Sequence, residues 1–304
     1  MPPMPDKLTV GVQLPEVERE VGWSEIRQVA RTAEEVGFDS IWLGDHLLYR
    51  DEVHGVRGPW ETWSLLAALG EATERVSLGP LVASTSFHAP AMLAKKAATV
   101  DEISGGRLIL GLGAGWNRVE YEGFGFPFDH RIDRFEEAFT IIRTLLGDGY
   151  IDFEGTYYTV RGGELAPRAR PGLPLLVGSN GPRMLAMTLP YVAEWNSWHS
   201  SFGNQVAGLR PLLEQIDAAC AAAGRGPGEV EKTVSVYIQL PGGTGRITGR
   251  GVIESDVAHT GSREELARLL QEYSEAGIGH VQLVLDPIDS STVEEMGEVL
   301  RLIG

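Results

Sequence analysis

Residues 89–117, APAMLAKKAATVDEISGGRLILGLGAGWN, decide the reading of this chain. The run Ala-Lys-Lys-Ala-Ala at 94–98 favours helix by intrinsic propensity. Gly105-Gly106 stops that helix and turns the chain. Residues 108–112 are a short apolar run of the kind found in a parallel strand covered on both faces. Gly111, Gly113 and Gly115 then clear side chains from the C-terminal end of that strand, where a planar ligand could lie against bare backbone. Trp116 adds a stacking face and Asn117 hydrogen-bonding groups.

Outward from this stretch, strand-like and helix-like segments alternate almost from end to end. Strands are expected at 8–14, 39–43, 76–82, 108–112, 173–177, 191–195, 233–240 and 279–285. Helices are expected at 23–36, 61–72, 132–146, 205–223, 262–275 and 291–302, with others opening near Pro90 and Pro182. About eight strand-then-helix units match the number that closes a (β/α)8 TIM barrel, here one α/β domain spanning 1–304. Two segments interrupt the rhythm. Residues 150–160 read as an inserted hairpin around Glu154-Gly155, and residues 241–258 as a glycine-rich loop insertion. A doubly wound nucleotide-binding sheet is the alternative. Its G-x-G-x-x-G loop would need glycine at 116, which is tryptophan.

Composition narrows the function. A formal net charge of −16 argues against general affinity for nucleic acid or anionic membranes. The single cysteine, Cys220, permits no intramolecular disulfide and no thiolate zinc site, and no metal spacing is recognisable among the histidines. No apolar stretch is long enough to span a membrane. Residues 1–7 carry no apolar signal core, so a cytoplasmic location is the expectation. A small-molecule substrate is the expected partner.

In a barrel the informative residues lie at the C-terminal ends of strands. The first strand ends at Gln13, a hydrogen-bonding group for a ligand or a loop residue satisfied by backbone. The second ends at Asp45-His46, where histidine suits proton transfer near neutral pH and the carboxylate could orient it, bind a ligand or cap a helix. The third ends in the hydroxyl run Ser84-Thr85-Ser86, fit for a ring edge or a strand terminus. The fifth ends at Gly178-Ser179-Asn180-Gly181-Pro182-Arg183, whose exposed N–H groups, hydroxyl and guanidinium read as a phosphate loop. The sixth carries Trp195, Asn196 and Trp198, which could wall a substrate pocket or pack in a core.

Together these residues resemble the luciferase-like flavin oxidoreductase superfamily, and most of all its branch that uses the deazaflavin coenzyme F420. The markers are LGDH at 43–46, the long stretch from His88 to Asn117, Glu120-Tyr121, Phe124-Gly125 followed by Arg131 and Arg134, GSNGP at 178–182 and EWN at 194–196. The resemblance implies a barrel holding a tricyclic ring at its mouth. Asp45 and Ser84 would contact the ring, and Leu81–Val82 would form a non-proline cis peptide beneath its central edge. Gly115, Trp116 and Asn117 would flank the cofactor tail, and residues 178–183 would hold its phosphate. His46 would handle a substrate proton, and Trp116 would set an apolar face beside the ring. The implied reaction is hydride transfer between F420 and an alcohol, carbonyl compound or activated double bond. An FMN-dependent monooxygenase served by a separate reductase, and a non-catalytic flavin-binding protein, are the alternatives. A homodimer is compatible with the family.

Overall fold

The computed structural model describes residues 8–52, 54–248, 251–252 and 258–304. The proline-rich start and parts of the glycine-rich insertion, 249–250 and 253–257, lie outside the described residues. In chain order the elements are β1 (Thr9–Gln13), α1 (Trp23–Val36), β2 (Ser40–Leu43), β3 (Tyr49–Asp51), β4 (Gly55–Arg57), α2 (Thr62–Ala72), β5 (Ser77–Pro80), β6 (Ala83–Ser84), α3 (Pro90–Ile103), β7 (Leu110–Gly113), α4 (Arg118–Phe124) and α5 (Arg131–Gly147). There follow β8 (Tyr150–Glu154), β9 (Thr159–Glu164), β10 (Leu175–Gly178), α6 (Pro182–Thr188), β11 (Glu194–Ser197), α7 (Val206–Ala222), β12 (Glu231–Gln239), β13 (Ile247–Thr248), β14 (Gly251–Val252), α8 (Arg263–Glu275), β15 (His280–Asp286) and α9 (Ser290–Ile303).

The parallel sheet runs β5-β2-β1-β15-β12-β11-β10-β7-β6. β5 and β6 are two halves of one strand: β5 pairs with β2 and β6 with β7, and a bridge between Leu78 and Leu108 closes the ring. The result is an eight-stranded barrel, as the alternation predicts, and not an open doubly wound sheet. The break between the halves is the peptide Leu81–Val82, which is cis.

Alternation along the strands separates two layers. Val10 and Val12, Ile41 and Leu43, and Leu110 and Leu112 face outward into the main core beneath the helices. The intervening residues face the barrel axis. There Trp42, Leu81, Ile109 and Leu176 form a second small cluster. The helices are closed by local chemistry: α8 carries a capping box between Ser262 and Glu265, and α9 one between Asp289 and Thr292. No helix among the described residues is long and apolar enough to cross a membrane.

Two element expectations shift. The sixth strand starts at Glu194 and not 191, because Pro190 and Tyr191 lie in the turn leaving α6 and the exposed Tyr191 ring stacks under Arg143. The inserted hairpin, β8 with β9, runs on to Glu164.

Candidate active site

A cavity of about 870 Å³ opens at the C-terminal ends of the barrel strands. Its floor is the Leu81–Val82 bulge. The glycines beside the bulge are there for Val82: a Cβ at Gly113 would lie 2.6 Å from Val82 Cγ2, and one at Gly178 would lie 2.8 Å from Val82 Cγ1. A Cβ at Gly111 would fall 2.2 Å from the carbonyl oxygen of Pro80. The glycine run of the opening stretch is therefore first a notch for the neighbouring strand, and only at Gly113 and Gly115 a wall of the cavity. Gly115 also turns the chain at φ 71°, tight against Tyr121 and Ser84.

The edge of the cavity is built from Asp45 and Ser84. Asp45 Oδ2 accepts the Ser84 backbone N–H at 2.9 Å and lies 2.8 Å from His88 Nε2. Both residues line the cavity, as expected from the strand ends.

His46 is the centre of the polar cluster. Its Nδ1 lies 3.0 Å from both carboxylate oxygens of Glu120, and its Nε2 lies 3.8 Å from Glu16 Oε1. Glu120, on α4, is itself held by the backbone N–H groups of Leu47, at 2.6 Å, and Leu48, at 3.3 Å. Burial disfavours the charged imidazole, but Glu16, then Glu120, then Asp45 outweigh it, and His46 is held above its ordinary value of 6.5. The ring of Tyr49 sits 4.8 Å from that of His46, and the half-exposed Trp116 packs edge-on to it at 5.7 Å.

Three of the residues around His46 escaped the sequence reading. Glu16 lies three positions beyond Gln13, which donates to it through Nε2. Glu120 stood in the sequence only as a family marker. Arg246 comes from the glycine-rich insertion, and its buried guanidinium donates to Gln13 Oε1 at 3.0 Å. Glu120 carried one usable signal, its place at the start of a helix just after a barrel strand. No spacing pattern links residue 246 to residue 16.

Five expected site residues are placed otherwise. Trp195 points outward, is fully buried in the main core, and donates through Nε1 to the Ser179 carbonyl at 2.8 Å. Its neighbour Asn196 faces the axis and bonds Thr233 and Gln282, and Trp198 lines the cavity. The side chain of Asn117 donates to the Leu48 carbonyl at 3.1 Å, tying two loops together outside the cavity wall. Of the phosphate-loop residues, Gly178, Ser179 and Asn180 line the cavity, whereas Gly181, Pro182 and Arg183 do not. The Arg183 guanidinium lies on the surface, 2.7 Å from each of Asp133 and Glu136, so its charge is already compensated. Asn180 Oδ1 is buried with no hydrogen-bond partner, an acceptor that a ligand hydroxyl would satisfy.

The model of the luciferase-like monooxygenase family matches residues 8–240. Over 202 residues, 66% of the chain, the sequence is 31% identical to the 5,10-methylenetetrahydromethanopterin reductase of Archaeoglobus fulgidus, spanning 56% of that protein. Over 167 residues, 53% of the chain, it is 35% identical to the F420-dependent glucose-6-phosphate dehydrogenase of Amycolatopsis mediterranei, spanning 49% of it. The matched region thus spans about half the length of these two relatives. Monooxygenases are also among the relatives. In fold, the chain superposes on an F420-dependent secondary alcohol dehydrogenase with a TM-score of 0.81 at 21% identity, covering 98% of this chain and 99% of that one. The barrel and the match over most of the chain lead to one assignment: this protein belongs to the luciferase-like monooxygenase family and has F420-dependent oxidoreductases among its relatives.

Proposed function

We propose that the chain is a coenzyme F420-dependent oxidoreductase that moves a hydride between the deazaflavin and a small alcohol, carbonyl compound or activated double bond. The observation that carries this reading is the half-buried His46 paired with the buried Glu120, 3.0 Å apart, beside the floor bulge of a cavity large enough for a tricyclic ring. The chain's residues fit that cofactor. Leu81 and Val82 would support its ring, Asp45 and Ser84 would meet its edge, and Ser179 with the unmet acceptor of Asn180 would hold its tail. When bound, the reduced deazaflavin supplies the hydride.

The protein supplies position and a proton. Glu120 engages His46 Nδ1 and leaves Nε2 as the atom that exchanges a proton with a substrate oxygen or carbon. In the reducing direction the substrate gains a hydride and the Nε2 proton. In the oxidising direction an alcohol loses both, its hydroxyl proton passing to neutral His46. Trp116, Tyr49 and Trp198 give the substrate end aromatic walls that exclude water.

A second reading, an FMN-dependent monooxygenase, is favoured by the family's own description and by monooxygenases among the relatives. Titration of the apoprotein with F420 and with FMN separates the two. Micromolar F420 binding with negligible FMN binding supports the proposal, and the reverse preference overturns it.

A further inference from the structure

Among its described residues, the inserted segment after β12 sends Arg246 into the site, and the backbone there is built to hold that side chain. Asp286 Oδ2 accepts the Gly245 N–H at 2.7 Å, Gln239 Nε2 at 2.9 Å and the Tyr237 hydroxyl at 3.2 Å. The Tyr237 oxygen in turn accepts the Arg246 backbone N–H at 3.1 Å. From this anchor the guanidinium of Arg246 reaches the barrel mouth, 5.2 Å from the Trp198 ring centre. Its Nε lies 2.9 Å from Glu18 Oε1, its Nη1 donates to Gln13, and its Nη2 lies 3.4 Å from Glu16 Oε2.

Five groups therefore follow one another with alternating charge: Glu18, Arg246, Glu16, His46 and Glu120. The successive contacts are 2.9, 3.4, 3.8 and 3.0 Å. Their side chains are between 1% and 20% exposed, so solvent screens the row poorly. A buried carboxylate with no cation beside it takes up a proton. Burial lifts the Glu16 carboxyl above its ordinary value; His46 and then Arg246 offset part of that rise, and the carboxyl stays raised. The charged or titratable groups around His46 are Glu16 after β1, Asp45 beside it, Tyr49 on β3 and Glu120 on α4, with Arg246 one step further out.

We propose that Arg246 is a positioning residue for proton transfer: by holding Glu16 as a carboxylate against His46, it makes the inserted segment part of the acid–base machinery at the barrel mouth. Assigning the proton to a reaction rests on the function proposed above, whereas the charge coupling does not. Arg246 touches neither the reacting proton nor the imidazole, and acts through Glu16.

The test is a nitrogen-15 histidine NMR titration of the full-length apoprotein, following the His46 midpoint. Arg246→Met should lower that midpoint by about one unit or more, the size of effect a neighbouring opposite charge exerts. Arg246→Lys should retain most of the wild-type value. Glu16→Gln alone should lower it as well, and adding Arg246→Met to Glu16→Gln should lower it no further. If Arg246→Met does not fold, Arg246→Gln, which can still bond Gln13, takes its place. A folded variant whose His46 midpoint stays or rises overturns the proposal, as does an effect of Arg246→Met that persists undiminished in the Glu16→Gln background. If the coupling is found but His46→Ala turns over normally, the proposed function falls and the coupling stands. The opposite pair of results leaves the function and removes Arg246 from it.

Discussion

The two ends of the barrel bury ionisable groups in opposite ways. At the mouth, Glu120, His46, Glu16 and Arg246 lie in a row of alternating sign, and the neighbouring carboxylates hold His46 above its ordinary value. At the base, where the strands begin, Glu194 on β11 lies beside Glu231 on β12 in register, and Glu194 Oε2 is buried without a partner. Burial, and then the second carboxyl, push Glu194 up to about 8. His280, at the start of β15, is pushed down to about 3 by burial and bonds Ser40 as a neutral ring. The same low-dielectric barrel thus disfavours charge on groups that lack an opposite partner and offsets that penalty where opposite signs are interleaved.

The largest expected effect that sharpens this contrast is His46→Ala. Turnover should fall by about 10²–10⁴-fold, the usual range for a lost general acid–base group, while F420 affinity by fluorescence titration stays within a few-fold. At the base the sign reverses, because removing a charge there should help. The folded state holds the Glu194 proton up to about pH 8, whereas an unfolded carboxyl gives it up near 4.5. The stability associated with that proton is therefore full below pH 4.5 and is lost as pH rises towards 8. Glu194→Gln should abolish this loss and gain on the order of 2–4 kcal/mol at pH 8, measured by urea unfolding, with little gain at pH 4.

Smaller effects probe the floor and the orienting carboxylate. Gly113→Ala should cost about 1–3 kcal/mol, because its new methyl meets Val82 at 2.6 Å, and Val82→Ala in the same chain should recover most of it. Differential scanning calorimetry of the two single variants and the double variant reads the coupling. Glu120→Gln should move the high-pH fall of carbonyl reduction about one unit lower, because His46 loses part of what holds it above 6.5. A pH profile of kcat checks this shift.

Much of this was legible in the sequence because barrel strands place their last residues at one mouth. Gln13, Asp45, His46, Ser84, Ser179 and Asn180 come together from four different strand ends. The errors have a physical cause. Trp195 and Asn196 alternate across the strand, so only one can face the axis; of the two roles the sequence leaves open for Trp195, pocket wall or core, the structure has the core. Arg183 was read as free charge, but Asp133 and Glu136, some fifty residues earlier, fold back onto it. Arg246 was missed because its partners Gln13 and Glu16 lie more than 200 residues away and no periodicity links them.

The contrast between mouth and base comes down to two rings, His46 raised by the carboxylates around it and His280 lowered by burial. One NMR titration reads both rings together. It should place the His46 midpoint above 6.5 and show His280 without a titration step down to about pH 4. A His46 midpoint below 6.5, or a His280 ring that protonates alongside it, would contradict the account.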